Sequence, residues 1–161
     1  MTLPLVILGS ARQDGDTARA VALAFPQGSA DIVPLPAFHV GGYDYAHGNS
    51  EDGFPAIAEA MRKADHIVFA TPVYWYAMSA PLKIFFDRLT DMTQNLKSLG
   101  KRLAGKPVWM IATGEEDVLP DFAVGGYDYA HANADDASQA SRKGWRQRRK
   151  SSSPPRSTGT P

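Results

Sequence analysis

Two stretches of the chain concentrate residues able to do chemistry. The first, GSARQDGDT from Gly9 to Thr17, follows a short apolar run and leads into a helical pattern. It supplies two glycines, the hydroxyls of Ser10 and Thr17, and the free N–H groups of a helix start. Such a backbone nest holds a phosphate without a lysine, because oriented N–H groups and the helix dipole favour an anion. An ordinary tight strand-to-helix turn has the same composition. No Gly-Lys-Ser/Thr follows, so nucleoside triphosphate hydrolysis loses its main argument, and the G-x-G-x-x-G dinucleotide fingerprint is also absent. The second stretch is TPVYWYAMSAP, Thr71 to Pro81. Neighbouring strand side chains point to opposite faces, so three consecutive aromatics at a strand end do not all enter a core. Exposing Tyr74, Trp75 and Tyr76 together is unfavourable unless they stack on a planar ligand or a partner subunit. A loop packed on its own helix is the remaining alternative.

The elements that must carry these loops are legible in the apolar pattern. LPLVILG (Leu3–Gly9), DIVPL (Asp31–Leu35), HIVFAT (His66–Thr71) and PVWMIAT (Pro107–Thr113) are short and unalternating. Such runs suit strands covered on both faces, as in a parallel sheet. Between them, Ala18, Val21, Ala22 and Phe25 keep i, i+3, i+4, i+7 spacing. Phe54, Ile57, Ala58 and Met61 repeat it, as do Leu82, Phe85, Phe86 and Leu89. Asp16 or Thr17 is expected to cap the first helix and Ser79 the third, where Pro81 falls in the first turn. Lys83 and Asp87 sit four apart as a small stabilising pair. Strand–helix–strand, three times over, is an α/β fold with a doubly wound parallel sheet. Ligands of such sheets bind beyond the carboxyl ends of the strands, which singles out the loops after the first, third and fourth strands.

Composition narrows the function classes. The 161 residues make about one domain, with 43% apolar residues and no cysteine. Disulfide scaffolds, thiolate catalysis and cysteine-held metals are thereby excluded. No run approaches the roughly 20 apolar residues of a membrane span, and no signal pattern opens the chain, so a cytoplasmic protein is expected. Net charge is zero, but residues 141–161 hold seven bases and no acid, leaving ten bases against seventeen acids in the first 140. Specific nucleic-acid binding would need positive charge spread over a folded face. The tail reads as disordered.

Phe38–Asp52 and Phe122–Asp136 match at 11 of 15 positions, with VGGYDYAH identical. His47 and His131 lie in these copies, each near an Asp, but neither shows the HxxxH or HxH spacing of a metal site. Together with His39 and His66 they read as loop histidines, and no metal is expected.

GSARQDGDTA followed by ATPVYWYAMSAPLKIFFDRLTD resembles the flavodoxin-like NAD(P)H-dependent FMN reductases, a group that includes quinone reductases. The resemblance covers residues 3–116. It implies that Ser10, Arg12, Asp16, Thr17 and Ala18 belong to a loop holding the FMN phosphate. It also implies that Pro72, Val73, Tyr74 and Trp75, with Met78 close behind, lie along the isoalloxazine ring. Thr113 and Gly114 would close over the ring's other edge. Implied too are a homodimer whose subunits meet near the flavin, NAD(P)H as co-substrate, and a small acceptor such as a quinone or flavin. The cofactor carries such chemistry, so no catalytic acid or base is assigned. A flavodoxin-like electron carrier or a non-catalytic module is the alternative. The expected organisation is an FMN-binding domain over 1–116, an atypical segment over 117–140 with the second GGYDYAH copy, and the basic tail over 141–161. After Glu116 the family's usual last strand and helices have no counterpart.

Overall fold

Alternation within the strands divides the core in two. All four residues of β1 (Leu5–Leu8) are buried, Leu5 and Ile7 towards one face and Val6 and Leu8 towards the other. Leu5 and Ile7 pack with Ile67 and Phe69 of β3 (Ile67–Tyr74) against two helices, α2 (Phe54–Lys63) and α3 (Ala80–Arg88). Val6 and Leu8 pack with Val68 and Ala70 against Val21 of α1 (Asp16–Ala24). Helices thus cover both faces of β1 and β3, which is why these strands are apolar without alternation. The structure, a computed structural model, describes residues 2–94, 96, 100, 103 and 105–114. The second GGYDYAH copy and the segments 117–140 and 141–161 lie outside the described residues.

The parallel sheet runs β2 (Asp31–Pro34), β1, β3, β5 (Val108–Thr113). Register pairs Leu5 with Asp31 and Ile67, and Ile67 with Val108. Beyond Pro72 the chain leaves this ladder, and β4 (Ala77–Met78) folds back antiparallel on the end of β3. The expected strands are all present, and the doubly wound parallel sheet is the observed architecture. Among the described residues no helix is long and apolar enough to cross a membrane.

The capping expectations need correction. Gly15 occupies the N-cap of α1, and no side chain caps it. Asp16 and Thr17 are already inside the first turn, so their side chains cannot reach the N–H groups that a cap satisfies. Ser79 does stand at the N-cap of α3, yet its hydroxyl makes no cap bond and is used elsewhere. The Lys83–Asp87 pair is present at 2.6 Å.

The long connection between β2 and α2 is organised around one buried arginine. Arg88, at the end of α3, pairs with Asp52 and, at 2.6 Å, with Asp91 of α4 (Asp91–Gln94). It also donates to the carbonyls of Gly41 (3.2 Å) and Asn49 (3.0 Å) and lies over the Phe54 ring. Asp91 in turn holds His47 Nδ1 at 2.8 Å, while Asp52 accepts the N–H groups of Gly41 and Phe54. The first GGYDYAH copy is therefore the wrapping of a charged centre between α2, α3 and α4.

Candidate functional site

From β1 the chain crosses to β2 on one side and later returns to β3 on the other, so strand order reverses between β1 and β3. Open α/β sheets have their ligand crevice at this switch point, beyond the carboxyl ends of the strands. The loops that leave β1 and β3 both start here.

The first loop is folded by its own hydroxyl. Buried Ser10 donates to the Arg12 carbonyl (2.9 Å) and accepts the Arg12 N–H (3.3 Å), turning the chain back on itself. Gly15 sits in that turn, where a side chain would press on Arg12 Cβ at 3.3 Å. The first N–H groups of α1 have no partner within the helix, and no side chain caps them, so they remain available to an anion. The Arg12 and Asp16 side chains are exposed, paired with Asp14 at 3.5 Å and Arg19 at 3.3 Å. Thr17 is buried, its hydroxyl 2.6 Å from that of Thr113 at the end of β5. Ala18 packs into the smaller core cluster, and Gly114 is exposed just beyond Thr113.

The second loop is a strained hairpin. Val73 pairs with Met78 and Tyr74 with Ala77, leaving Trp75 and Tyr76 as a two-residue turn. Their φ angles are +49° and +61°. Turns with both central residues at positive φ favour Asn-Gly. A side chain held there costs on the order of 1–3 kcal/mol, and such strain clusters at functional sites. Trp75 is 96% exposed, with Tyr74 and Tyr76 more than half exposed beside it. Pro72 is buried at the base of the hairpin; Val73 and Met78 are half-buried.

The base is closed by two buried hydroxyls. Thr71 accepts the N–H of Ser79 (2.9 Å) and donates to the Pro72 carbonyl (2.9 Å). Ser79 donates its own hydroxyl to the carbonyl of Gly9 at 2.6 Å. Gly9 must be glycine for this approach, since a Cβ there would lie 2.8 Å from Leu82 Cβ and 3.0 Å from Ser79 Oγ. Position had marked Ser79 only as a helix cap, and nothing in sequence marked Thr71 as its partner.

The donor set fits a flavin mononucleotide: uncapped helix N–H groups for the phosphate, and exposed aromatics at the same crevice for the ring. Among the described residues no cluster of three or more His, Asp or Glu is placed to hold a metal. A cavity of about 270 Å³ lined by Pro4, Phe25, His66, Val68 and Trp109 lies at the amino ends of the strands, away from these loops.

Residues 3–117 match the family described as NADPH-dependent FMN reductase. Quinone reductase of Escherichia coli K12 is 34% identical over 123 residues, covering 71% of this chain and 61% of that protein. The chain spans less than two thirds of the length of the curated relatives it matches, 38% in one case. Among solved structures, the Trp repressor binding protein of Bacillus subtilis superposes with a TM-score of 0.64 at 21% identity, over 80% of this chain and 75% of that one. RosB with bound 8-demethyl-8-formylriboflavin-5'-phosphate gives the same TM-score at 18% identity, over 83% and 60%.

Proposed function

Because the chain belongs to the NADPH-dependent FMN reductase family, we propose that it binds FMN across the β1–β3 crevice and passes a hydride from NAD(P)H to a quinone, flavin or similar small acceptor. The observation that carries this reading is the pairing of an uncapped helix start with a strained, exposed aromatic hairpin at one switch point. Bound FMN would supply the redox chemistry, taking the hydride from the nicotinamide and giving two electrons to the acceptor. The protein's share is to bind and orient. The N–H groups opening α1 would take the phosphate, with Ser10 shaping the loop and Arg12 and Asp16 at its exposed rim. Tyr74, Trp75 and Met78 would line the ring, and Thr113 and Gly114 would border its far edge. The reading includes a homodimer meeting near the flavin and a cytoplasmic location; sedimentation of the full chain with FMN tests the former.

Titration of the purified chain with FMN is expected to quench flavin fluorescence at stoichiometric protein and to shift the visible bands. Steady-state oxidation of NAD(P)H with a quinone should then exceed that of free FMN. Quenching without turnover would leave a flavin-binding electron carrier; no quenching would overturn the reading.

A further inference from the structure

We propose that Ser79 is a positioning residue that holds the phosphate loop in register with the aromatic hairpin, so that both ends of one FMN are gripped together. The proposal rests on the flavin reading above. The Ser79 hydroxyl spans 70 residues of sequence to reach the Gly9 carbonyl, at the point where β1 becomes the phosphate loop. Its N–H is held by Thr71, at the point where β3 becomes the hairpin. One residue is thus bonded to the root of each loop. Ser79, Thr71 and the Gly9 backbone are all buried, so water cannot replace either bond.

The cap position makes this assignment informative. A serine at a helix N-cap ordinarily turns its oxygen onto the N–H groups of its own helix. Here the hydroxyl is a donor to another element instead, and α3 starts without that cap. The contact is also sterically set: Gly9 leaves no room for a Cβ between Ser79 Oγ and Leu82. Losing the hydroxyl would strand the Gly9 carbonyl without its donor. Gly9 would stay tied to β3 by its N–H on the Ala70 carbonyl (2.7 Å), but the phosphate loop beyond it would be free to turn relative to a hairpin still closed by Thr71. The hairpin itself would be intact. FMN, which needs both loops, should suffer; riboflavin, which lacks the phosphate and does not need the phosphate loop, should not.

The test compares FMN and riboflavin affinities, by fluorescence titration, in the wild type, Ser79→Ala and Ser79→Cys, with melting temperatures in parallel. The wild type is expected to prefer FMN. In Ser79→Ala that preference should shrink by about tenfold, the worth of one buried hydrogen bond, with riboflavin affinity held within a factor of about three. Ser79→Cys keeps a weak donor at the same place and should recover part of the preference; it carries the test if the alanine variant does not fold. An unchanged preference in folded Ser79→Ala, or equal loss for both ligands, would overturn the positioning role while leaving the flavin site standing. A wild type that binds neither flavin would instead overturn the flavin reading, and this proposal with it.

Discussion

A tryptophan that is 96% exposed between two half-exposed tyrosines leaves a large apolar surface in water. Such a surface is explained by something that stacks on it. Trp75→Ala should weaken FMN binding by about 1–2 kcal/mol, the scale of one aromatic contact, without lowering the melting temperature, since little of the side chain is buried. Unchanged affinity in a fluorescence titration would assign Trp75 to a subunit interface. Thr17 behaves differently because its hydroxyl already has a partner in Thr113. Thr17→Ala should lower stability by about 1 kcal/mol, the net worth of a partly buried hydrogen bond. It should also reduce FMN binding more than riboflavin binding, because the bond ties the start of α1 to β5. Equal losses for both ligands would remove the phosphate role.

At the scale of elements, hairpin geometry and hairpin chemistry pull in opposite directions. The turn between β3 and β4 demands positive φ twice, and aromatic residues supply it only under strain. Replacing Trp75-Tyr76 by Asn-Gly should relieve that strain. We expect a stability gain of about 1–2 kcal/mol by thermal melting, together with weaker flavin binding. A fall in melting temperature would show that the aromatic pair is held by contacts worth more than the strain.

This hairpin also marks the limit of what sequence could disclose. β1 and β3 are readable because strands buried on both faces need unbroken apolar runs, β5 because its run is apolar although Trp109 stands exposed, and the helices because their core-facing residues recur every three or four positions. The aromatic loop was legible as exposed, since three aromatics in a row cannot all turn inward. Its conformation was not, because Trp-Tyr is no turn signal and the two residues of β4 have no period. Ser79 was placed correctly at the start of α3, but what its hydroxyl bonds depends on how a strand exit 70 residues away packs against that helix. Arg88 lies within the ATPVYWYAMSAPLKIFFDRLTD segment that carries the family resemblance, whereas its partners at Gly41, Asn49 and Asp52 come from a loop whose folding no local pattern dictates.

Across the whole molecule, the charged centre at Arg88 gives stability a pH dependence. Burial by itself would raise the pKa of Asp52. The hydrogen bond from Arg88, joined by the N–H groups of Phe54 and Gly41 and by the arginine's charge, outweighs it and holds the carboxyl below its ordinary value. A carboxylate depressed in the folded state stabilises fully above its ordinary pKa, about 3.9 for Asp. That contribution is lost as pH falls through the lower folded value. Asp52→Asn should destabilise by about 1.5–3 kcal/mol at neutral pH, because the buried Arg88 loses one counter-charge while keeping Asp91. The gap in melting temperature between variant and wild type should then narrow below pH 4. A gap that stays constant down to pH 3 would mean that Asp52 acts through its hydrogen-bonding shape and not its charge. A loss of this size is a large fraction of the 5–15 kcal/mol typical of a domain, so the wrapping loop matters to every element it joins.

The position of β1 has a consequence for how the molecule opens. Its backbone is bonded to β2 on one side and β3 on the other, and both its faces are covered. No local fluctuation can bare its amides to water, so their exchange with deuterium must wait for the whole domain to unfold. β2, with Asp31 and Ile32 exposed at the sheet's margin, can fray without disturbing that centre. Exchange at Val6 and Ile7 is therefore a direct gauge of global stability, readable by mass spectrometry or NMR with and without FMN. If flavin binds only the folded state, it should slow exchange at these amides as its concentration rises.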